Sequence, residues 1–298
     1  MTTQTLASSQ ITVHPLDGAL GARVRGIDMR KPLDDASKQV LLAAWMEHLI
    51  LILPDQQVSD EEHVAFTHGL GLGEPEIFHQ NIIKSKSVRE IFRVSNVRDD
   101  NTLMPSTDPT ARQLSLAQYW HTDSSYKTMP CLGSLLHGVE ISRTGGETQF
   151  TNMYKVLAAL PAALRQRIEG RKARHNFEHL HTLQTLRPLT DAERAAMPPV
   201  WHPMVRVHPV TGRQSLYISP IYNDEVEGLS GPDSLALIAE LAQFAGRPEF
   251  VYSHRWETDD VMMWDNRCTM HQVTAFDPME RRVMHRTTIV GSQAVVAA

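Results

Sequence analysis

From Ile11 to Asp28 the sequence ITVHPLDGALGARVRGID alternates apolar and polar positions and is interrupted by glycines. That pattern predicts short strands joined by turns. A longer period follows in DDASKQVLLAAWMEHL, where Val40, Leu41, Ala44, Trp45 and His48 return at helical spacing. A helix is predicted here, capped by Asp34 or Asp35. LILILP (Leu49 to Pro54) is apolar without a break and too short for a helix of its own, which predicts a buried strand stopped by Pro54. Ser59 and Glu62 have the spacing of a capping box, opening a short helix that ends near Gly69. VREIFRVSNV is strand-like.

Between Tyr119 and Thr151 short strands are predicted, broken at KTMP and TGG. MYKVLAALPAALRQRIEG predicts one or two helices, with Pro161 opening the second and Gly170 closing it. TLRPLTDAERAAMPPVWHP reads as a long excursion and MVRVHPVTGRQSLYI as a hairpin. A helix from about Pro232 to Ala245 follows, then the strands FVYSHRW, DVMMWDN and VMHRTTIV. Many short strands with turn signals and few helices favour a sandwich or jelly roll over a parallel α/β sheet.

Composition narrows the function more than the fold. The chain has 298 residues, 42% hydrophobic and 21% charged, an ordinary globular mix. A single domain over 1–298 is expected, with 1–10 and 292–298 as frayed tails. The net charge of −5, with no basic run, speaks against nucleic acid as a partner. The longest apolar stretch is far too short to span a membrane, and the start lacks the pattern of a secretory signal. Two cysteines, Cys131 and Cys268, are too few for a disulfide framework and read as reduced packing residues of a cytoplasmic protein. The 15 histidines direct attention to metal or acid–base chemistry.

In YWHTDSSY (residues 119–126), His121 and Asp123 stand two apart. On a strand, residues i and i+2 share a face, so the pair could aim a nitrogen and an oxygen at one point. Two histidines and a carboxylate on one side of an ion leave three positions open, the arrangement of non-haem Fe(II) oxygenases. Taken alone, the pair is a weak signal, and a capped turn with an exposed Asp is the plainer reading. Farther along, WDNR (Trp264 to Arg267) is followed by His271, Arg282 and Arg286.

Trp120-His121-Thr122-Asp123, then Gly145-Gly146-Glu147-Thr148, then WDNRCTMH with two arginines resemble, in order and spacing, the taurine dioxygenase / 2,4-dichlorophenoxyacetate dioxygenase family. The likeness runs from about Ile11 to Gly291. It implies a mainly β fold with flanking helices, a double-stranded β-helix (jelly roll, cupin-like). The implied cofactor is Fe(II), with 2-oxoglutarate and O2 as co-substrates and succinate and CO2 as products. His121, Asp123 and His271 then look like the iron ligands. Thr148 and Arg282 look like the residues that bind the distal carboxylate of 2-oxoglutarate, the arginine as a bidentate fork. Arg286 looks like the cation for a small anionic substrate, and Trp264 like a pocket wall. Taurine-specific relatives carry an asparagine four positions before the first metal histidine. Ala117 stands there in this chain, which counts against taurine. HTDSSY, AERAAMPPV and VMMWDNRC look closer to the aryloxyalkanoate enzymes, with sulfonates or alkyl sulfates as the alternative. Homo-oligomerisation is also implied.

Plainer readings exist for each residue. Arg282 and Arg286 could be surface ion-pair residues, Thr148 an ordinary strand threonine and Trp264 core filler. HNFEHLH offers His175, His179 and His181, whose i, i+4 spacing resembles a zinc helix, but solvated loop or lid histidines fit that stretch better. A divalent-metal hydrolase would leave Thr148 and Arg282 without a role, and a non-catalytic jelly-roll binding protein would leave the ligand set without one.

Overall fold

The computed structural model describes residues 11–77 and 88–298, so the tail expected at 1–10 lies outside the described residues. In chain order the strands are β1 (Thr12–Pro15), β2 (Ala22–Arg25), β3 (Ile50–Leu53), β4 (Phe92–Ser95), β5 (Gly133–Glu140), β6 (Thr148–Asn152), β7 (Lys172–His175) and β8 (Val200–Pro203). They continue as β9 (Val205–Val207), β10 (Gln214–Leu216), β11 (Asn223–Val226), β12 (Val251–His254), β13 (Val261–Asp265), β14 (Thr269–Val273), β15 (Val283–Ile289) and β16 (Val296–Ala297). The helices are α1 (Asp35–His48), α2 (Asp60–Gly69), α3 (Pro109–Ser115), α4 (Met153–Ala159), α5 (Ala162–Gln166), α6 (Leu180–Leu183), α7 (Asp191–Ala196) and α8 (Gly231–Ala245). The protein is mostly β, with helices packed on the strands.

The main sheet has seven strands in the order β1-β2-β3-β13-β5-β15-β4, antiparallel except for the parallel pair β2–β3. Its central strands β3, β13 and β5 are buried on both faces, and the two-residue period sorts their side chains between two cores. Leu51, Leu53, Val261 and Met263 face one way, onto Leu41, Ala44 and Trp45 of α1 and Phe66 of α2. Ile50, Ile52, Met262 and Trp264 face the other way and meet Phe150 of β6. That second core joins the main sheet to the sheet β12-β6-β14, where β14 carries His271. A third core lies under α4, α5 and α8.

Local signals place most elements. The Asp34 carboxylate caps α1 by accepting from Ser37 N, and Ser59 and Glu62 form the predicted capping box on α2. Val40, counted among the periodic apolar residues of α1, is 43% exposed instead, so the buried stripe is narrower than predicted. The residues after 291 do not simply fray: Val296 pairs with Val207, which puts β16 on the edge of β9. Among the described residues no helix is long and apolar enough to cross a membrane. Cys131 and Cys268 are both free and buried.

α2 docks on the main sheet through buried polar contacts. Thr67 Oγ1 meets Thr287 Oγ1 at 2.8 Å, and His63 Nε2 meets the same hydroxyl at 3.2 Å. His285 Nδ1 meets Asp60 at 2.6 Å. Burial first, then the neighbouring His137 and His285, push the His63 imidazole down from 6.5 to about 3, against the opposing pull of Asp60. The unfolded chain therefore binds a proton here that the folded chain refuses, and stability falls as the pH drops below the unfolded value. His63→Gln is expected to reduce this acid sensitivity. The check is the difference in urea midpoint between about pH 7 and about pH 5, which should be smaller in the variant than in the parent protein.

Candidate active site

His121 and His271 lie side by side because their backbones pair. His121 N donates to His271 O at 2.9 Å and His271 N to His121 O at 2.8 Å, an isolated bridge that sets the rings 4.2 Å apart. The strand reading of His121-Thr122-Asp123 is corrected here. His121 forms only this bridge, and the chain then turns, with Lys127 N donating to Ser124 O at 2.9 Å. Asp123 reaches the histidines from the turn, which Ser124 completes with a φ of 54°. Its Oδ1 lies 4.0 Å from His121 Nε2 and its Oδ2 3.8 Å from His271 Nε2. One ligand atom from each residue lies within 4.8 Å of the others, and all three residues are buried.

This donor set fits a cation. His121 Nδ1 lies 2.8 Å from Tyr119 O, so that nitrogen holds the proton and Nε2 turns its lone pair toward the carboxylate. Burial, the largest influence, lowers the pKa of both histidines, so both rings are neutral at ordinary pH. Burial also opposes ionisation of Asp123, but Arg286, His271 and His121 outweigh it and hold the carboxyl well below the usual range. The His121 Nε2 lone pair and an ionised carboxylate thus face a second neutral imidazole, a set of donors that one divalent ion would bridge.

The rest of the predicted set lines one cavity of about 890 Å³ with these three residues. Arg282 is 5% exposed, and among the described residues no carboxylate pairs with it. Its Nη2 donates to Gly146 O at 3.2 Å. Burial lowers its pKa to about 10, so it remains a cation at neutral pH. A buried guanidinium without a counter-charge fits an anionic ligand. Gly146 of GGET makes room for it, since a Cβ there would sit 2.5 Å from Ser142 Oγ and 3.1 Å from Arg282 Nε, while Gly145 lets the loop pass Ala275 O, which a Cβ would meet at 2.0 Å. Both glycines have positive φ, 68° and 74°. Thr148 Oγ1 accepts from Trp256 Nε1 at 2.9 Å, which leaves its own hydrogen free to donate into the cavity.

A family model described as "Taurine catabolism dioxygenase TauD, TfdA family" matches residues 12–288. The chain belongs to this family. It is 32% identical over 295 residues to an (S)-phenoxypropionate/alpha-ketoglutarate-dioxygenase of Sphingobium herbicidovorans, covering 96% of this chain and 97% of that one. It is also 32% identical to an alpha-ketoglutarate-dependent 2,4-dichlorophenoxyacetate dioxygenase of Cupriavidus pinatubonensis, covering 96% and 99%. Among solved structures, AAD-2 in complex with Mn(II) and N-oxalylglycine superposes with a TM-score of 0.87 at 30% identity, covering 97% of this chain and 100% of that one. The protein is a non-haem iron dioxygenase that uses Fe(II), 2-oxoglutarate and O2.

In this dioxygenase Arg286 has two faces. Nη1 donates to Asp123 Oδ1 at 2.8 Å, and the guanidinium lies over Phe92 at 4.8 Å. Nε is buried without a partner among the described residues. Burial pulls its pKa down, but Asp123, with smaller help from Cys131, Glu76 and Tyr222, raises it overall. Arg282 precedes β15 and Arg286 lies within it, and both line the cavity, as their four-residue spacing predicts. His285 turns to the other side and meets Asp60. Trp264 stands beside His271, ring centres 5.0 Å apart, and is part of the core as well as the wall.

His175, His179 and His181 are not a metal cluster, and His175 is not a solvated loop residue. It closes β7, fully buried, with Nδ1 3.0 Å from Ser125 Oγ and its ring stacked on Tyr217 at 5.6 Å. Its place is to support the turn that carries Asp123. Sequence reasoning also missed the aromatic group Tyr126, Phe177 and Tyr222. Tyr126 meets the other two edge-on at 4.7 and 4.9 Å, and all three line the cavity. Tyr126 lies only three residues beyond Asp123 and was within reach of the motif. Phe177 and Tyr222 come from distant segments, and no local pattern joins them.

Proposed function

We propose that this dioxygenase hydroxylates a small aryloxyalkanoate or closely related carboxylate, with release of succinate and CO2. The observation that carries the reading is one cavity that holds a metal-type triad, a buried and a half-buried arginine and an aromatic wall together. The curated relatives named for phenoxypropionate and 2,4-dichlorophenoxyacetate support the substrate class. In this reading His121, Asp123 and His271 hold Fe(II), Thr148 and Arg282 hold the distal carboxylate of 2-oxoglutarate, and Arg286 takes the acid group of the substrate. Trp264 closes the wall beside the metal. We read the main sheet and the sheet β12-β6-β14 as the walls of a double-stranded β-helix, because one core packs between them. A cytoplasmic homo-oligomer completes the proposal, and the two free thiols fit a reducing compartment.

Bound iron and 2-oxoglutarate supply the oxidising chemistry, which no side chain can supply. The chain contributes position and environment. Arg282 and Thr148 fix the far end of the keto acid, so its other end faces the three ligands. Arg286 spans Asp123 and the cavity, so a substrate carboxylate that pairs with its remaining donors is set close to the reacting centre. Tyr126, Phe177 and Tyr222 offer apolar faces to an aryl group and exclude water around it. Attack at the carbon next to an ether oxygen gives a hemiacetal, which collapses to a carbonyl compound and a phenol.

Substrate-dependent succinate release over a panel of aryloxyacetates, aryloxypropionates, aliphatic carboxylates, sulfonates and alkyl sulfates tests this. The aryloxy acids are expected to give the highest kcat/KM. A preference of tenfold or more, about 1.4 kcal/mol, for sulfonates or sulfate esters would contradict the proposed substrate class and leave the reaction type intact.

A further inference from the structure

The carboxylate of Asp123 is held by two partners, and its backbone is held by two others. Arg286 Nη1 and Ser134 Oγ reach Oδ1 and Oδ2, at 2.8 and 3.3 Å. The backbone partners belong to a separate chain of hydrogen bonds centred on Asn266, which is 1% exposed at the end of β13. Asn266 Oδ1 accepts from Asp123 N at 3.4 Å and from Trp264 Nε1 at 3.0 Å. Its Nδ2 donates to Cys131 Sγ at 3.2 Å, and the Cys131 thiol donates to Asp123 O at 3.4 Å. The amide orientation is forced, since the reverse would set its NH2 against two N–H donors.

The position of this clamp gives it a specific task. Asp123 sits in a turn, with no strand ladder to hold its peptide groups, and Ser124 follows in the left-handed region. A non-glycine residue there is strained and persists when its surroundings over-determine it. Thr122 N is tied to Ser219 Oγ at 3.0 Å on one side, and Asn266 and Cys131 grip the next residue on the other. A ligand on such a turn has the spread of positions that its backbone allows, and partners one shell out from a metal set ligand orientation.

We propose that Asn266 is the positioning residue for the metal-binding carboxylate. Directly through Asp123 N–H, and by way of Cys131 through Asp123 C=O, it fixes the turn from which Asp123 reaches the ion. Through Trp264 it ties that turn to the wall beside His271. The inference rests on the reading of His121, Asp123 and His271 as metal ligands.

The test is Mn(II) titration of the full-length protein without co-substrate, followed by calorimetry or by the loss of the free-ion resonance signal, with the melting temperature of the metal-free protein measured in parallel. Asn266→Ala is expected to weaken Mn(II) binding roughly ten- to a hundredfold. Cys131→Ala is expected to act in the same direction, and Cys131→Ser, which keeps a hydrogen-bonding group, to recover part of the loss. If either alanine variant folds, melts lower and still binds Mn(II) as the parent does, the role is only structural and the proposal is overturned. Should Asn266→Ala not fold, Cys131→Ala decides alone, by the same two outcomes. Asp123→Ala is the control. Parental Mn(II) affinity in that variant would overturn the ligand reading itself, a failure separate from that of the clamp.

Discussion

Asp123→Ala is expected to take substrate-dependent succinate release to background. It should also weaken Mn(II) or Fe(II) binding by more than the roughly ten- to hundredfold typical of an outer partner. Asp123 is the anionic member of the triad, and His121 and His271 contribute only neutral lone pairs. The variant should be less stable as well. Arg286 is paired to Asp123 at 2.8 Å, and removing one partner of a buried pair costs about 3–5 kcal/mol because the other charge is left uncompensated. Asp123→Asn separates the two effects. It keeps the shape and an acceptor for Arg286 but withdraws the charge, so metal affinity should fall with a smaller change in melting temperature. Succinate release at the parental rate from either variant would remove Asp123 from the metal site.

Arg282→Ala is expected to raise the 2-oxoglutarate KM on the order of a hundredfold, within the 2–5 kcal/mol lost when one side of a buried, hydrogen-bonded charge pair is truncated. Stability should move the other way. Without co-substrate Arg282 is a buried cation with no carboxylate partner among the described residues, so its removal is expected to leave the melting temperature unchanged or higher. Arg286→Ala should instead raise the KM of the oxidised substrate, and it should lower stability by releasing Asp123. Steady-state succinate assays that vary each substrate at saturating levels of the other distinguish the two arginines. Equal effects on both substrates from both variants would refute the division of roles.

Much of this architecture was legible in local pattern. The capping residues Asp34 and Ser59, the doubly buried LILIL stretch and the hairpin after Met204 rest on local rules, and those elements form as expected. Strand β14 was not predicted, although it carries His271. TMHQV is short and follows a turn that Asp265 and Arg267 build from buried hydrogen bonds, which no periodicity announces. The candidate ligands follow from motif order, but a shared strand face does not bring His121 and Asp123 together. A turn held by Asn266 and Cys131 brings the carboxylate round, where a shared strand face had been expected. His175 was misjudged because a histidine-rich stretch looks solvated until Ser125 and Tyr217 are seen against it. The aromatic wall depends on three segments that only the fold brings together.

The most direct test of the central claim is a crystal structure with Mn(II) and N-oxalylglycine, read by anomalous scattering at the manganese edge. One manganese peak is expected, bonded to His121 Nε2, an Asp123 carboxylate oxygen and His271 Nε2, with the distal carboxylate of the ligand on Arg282 and Thr148. A peak among His208, Asp265 and Cys268, the other buried group with metal-type donors among the described residues, or a manganese without His271 in its sphere, would contradict it.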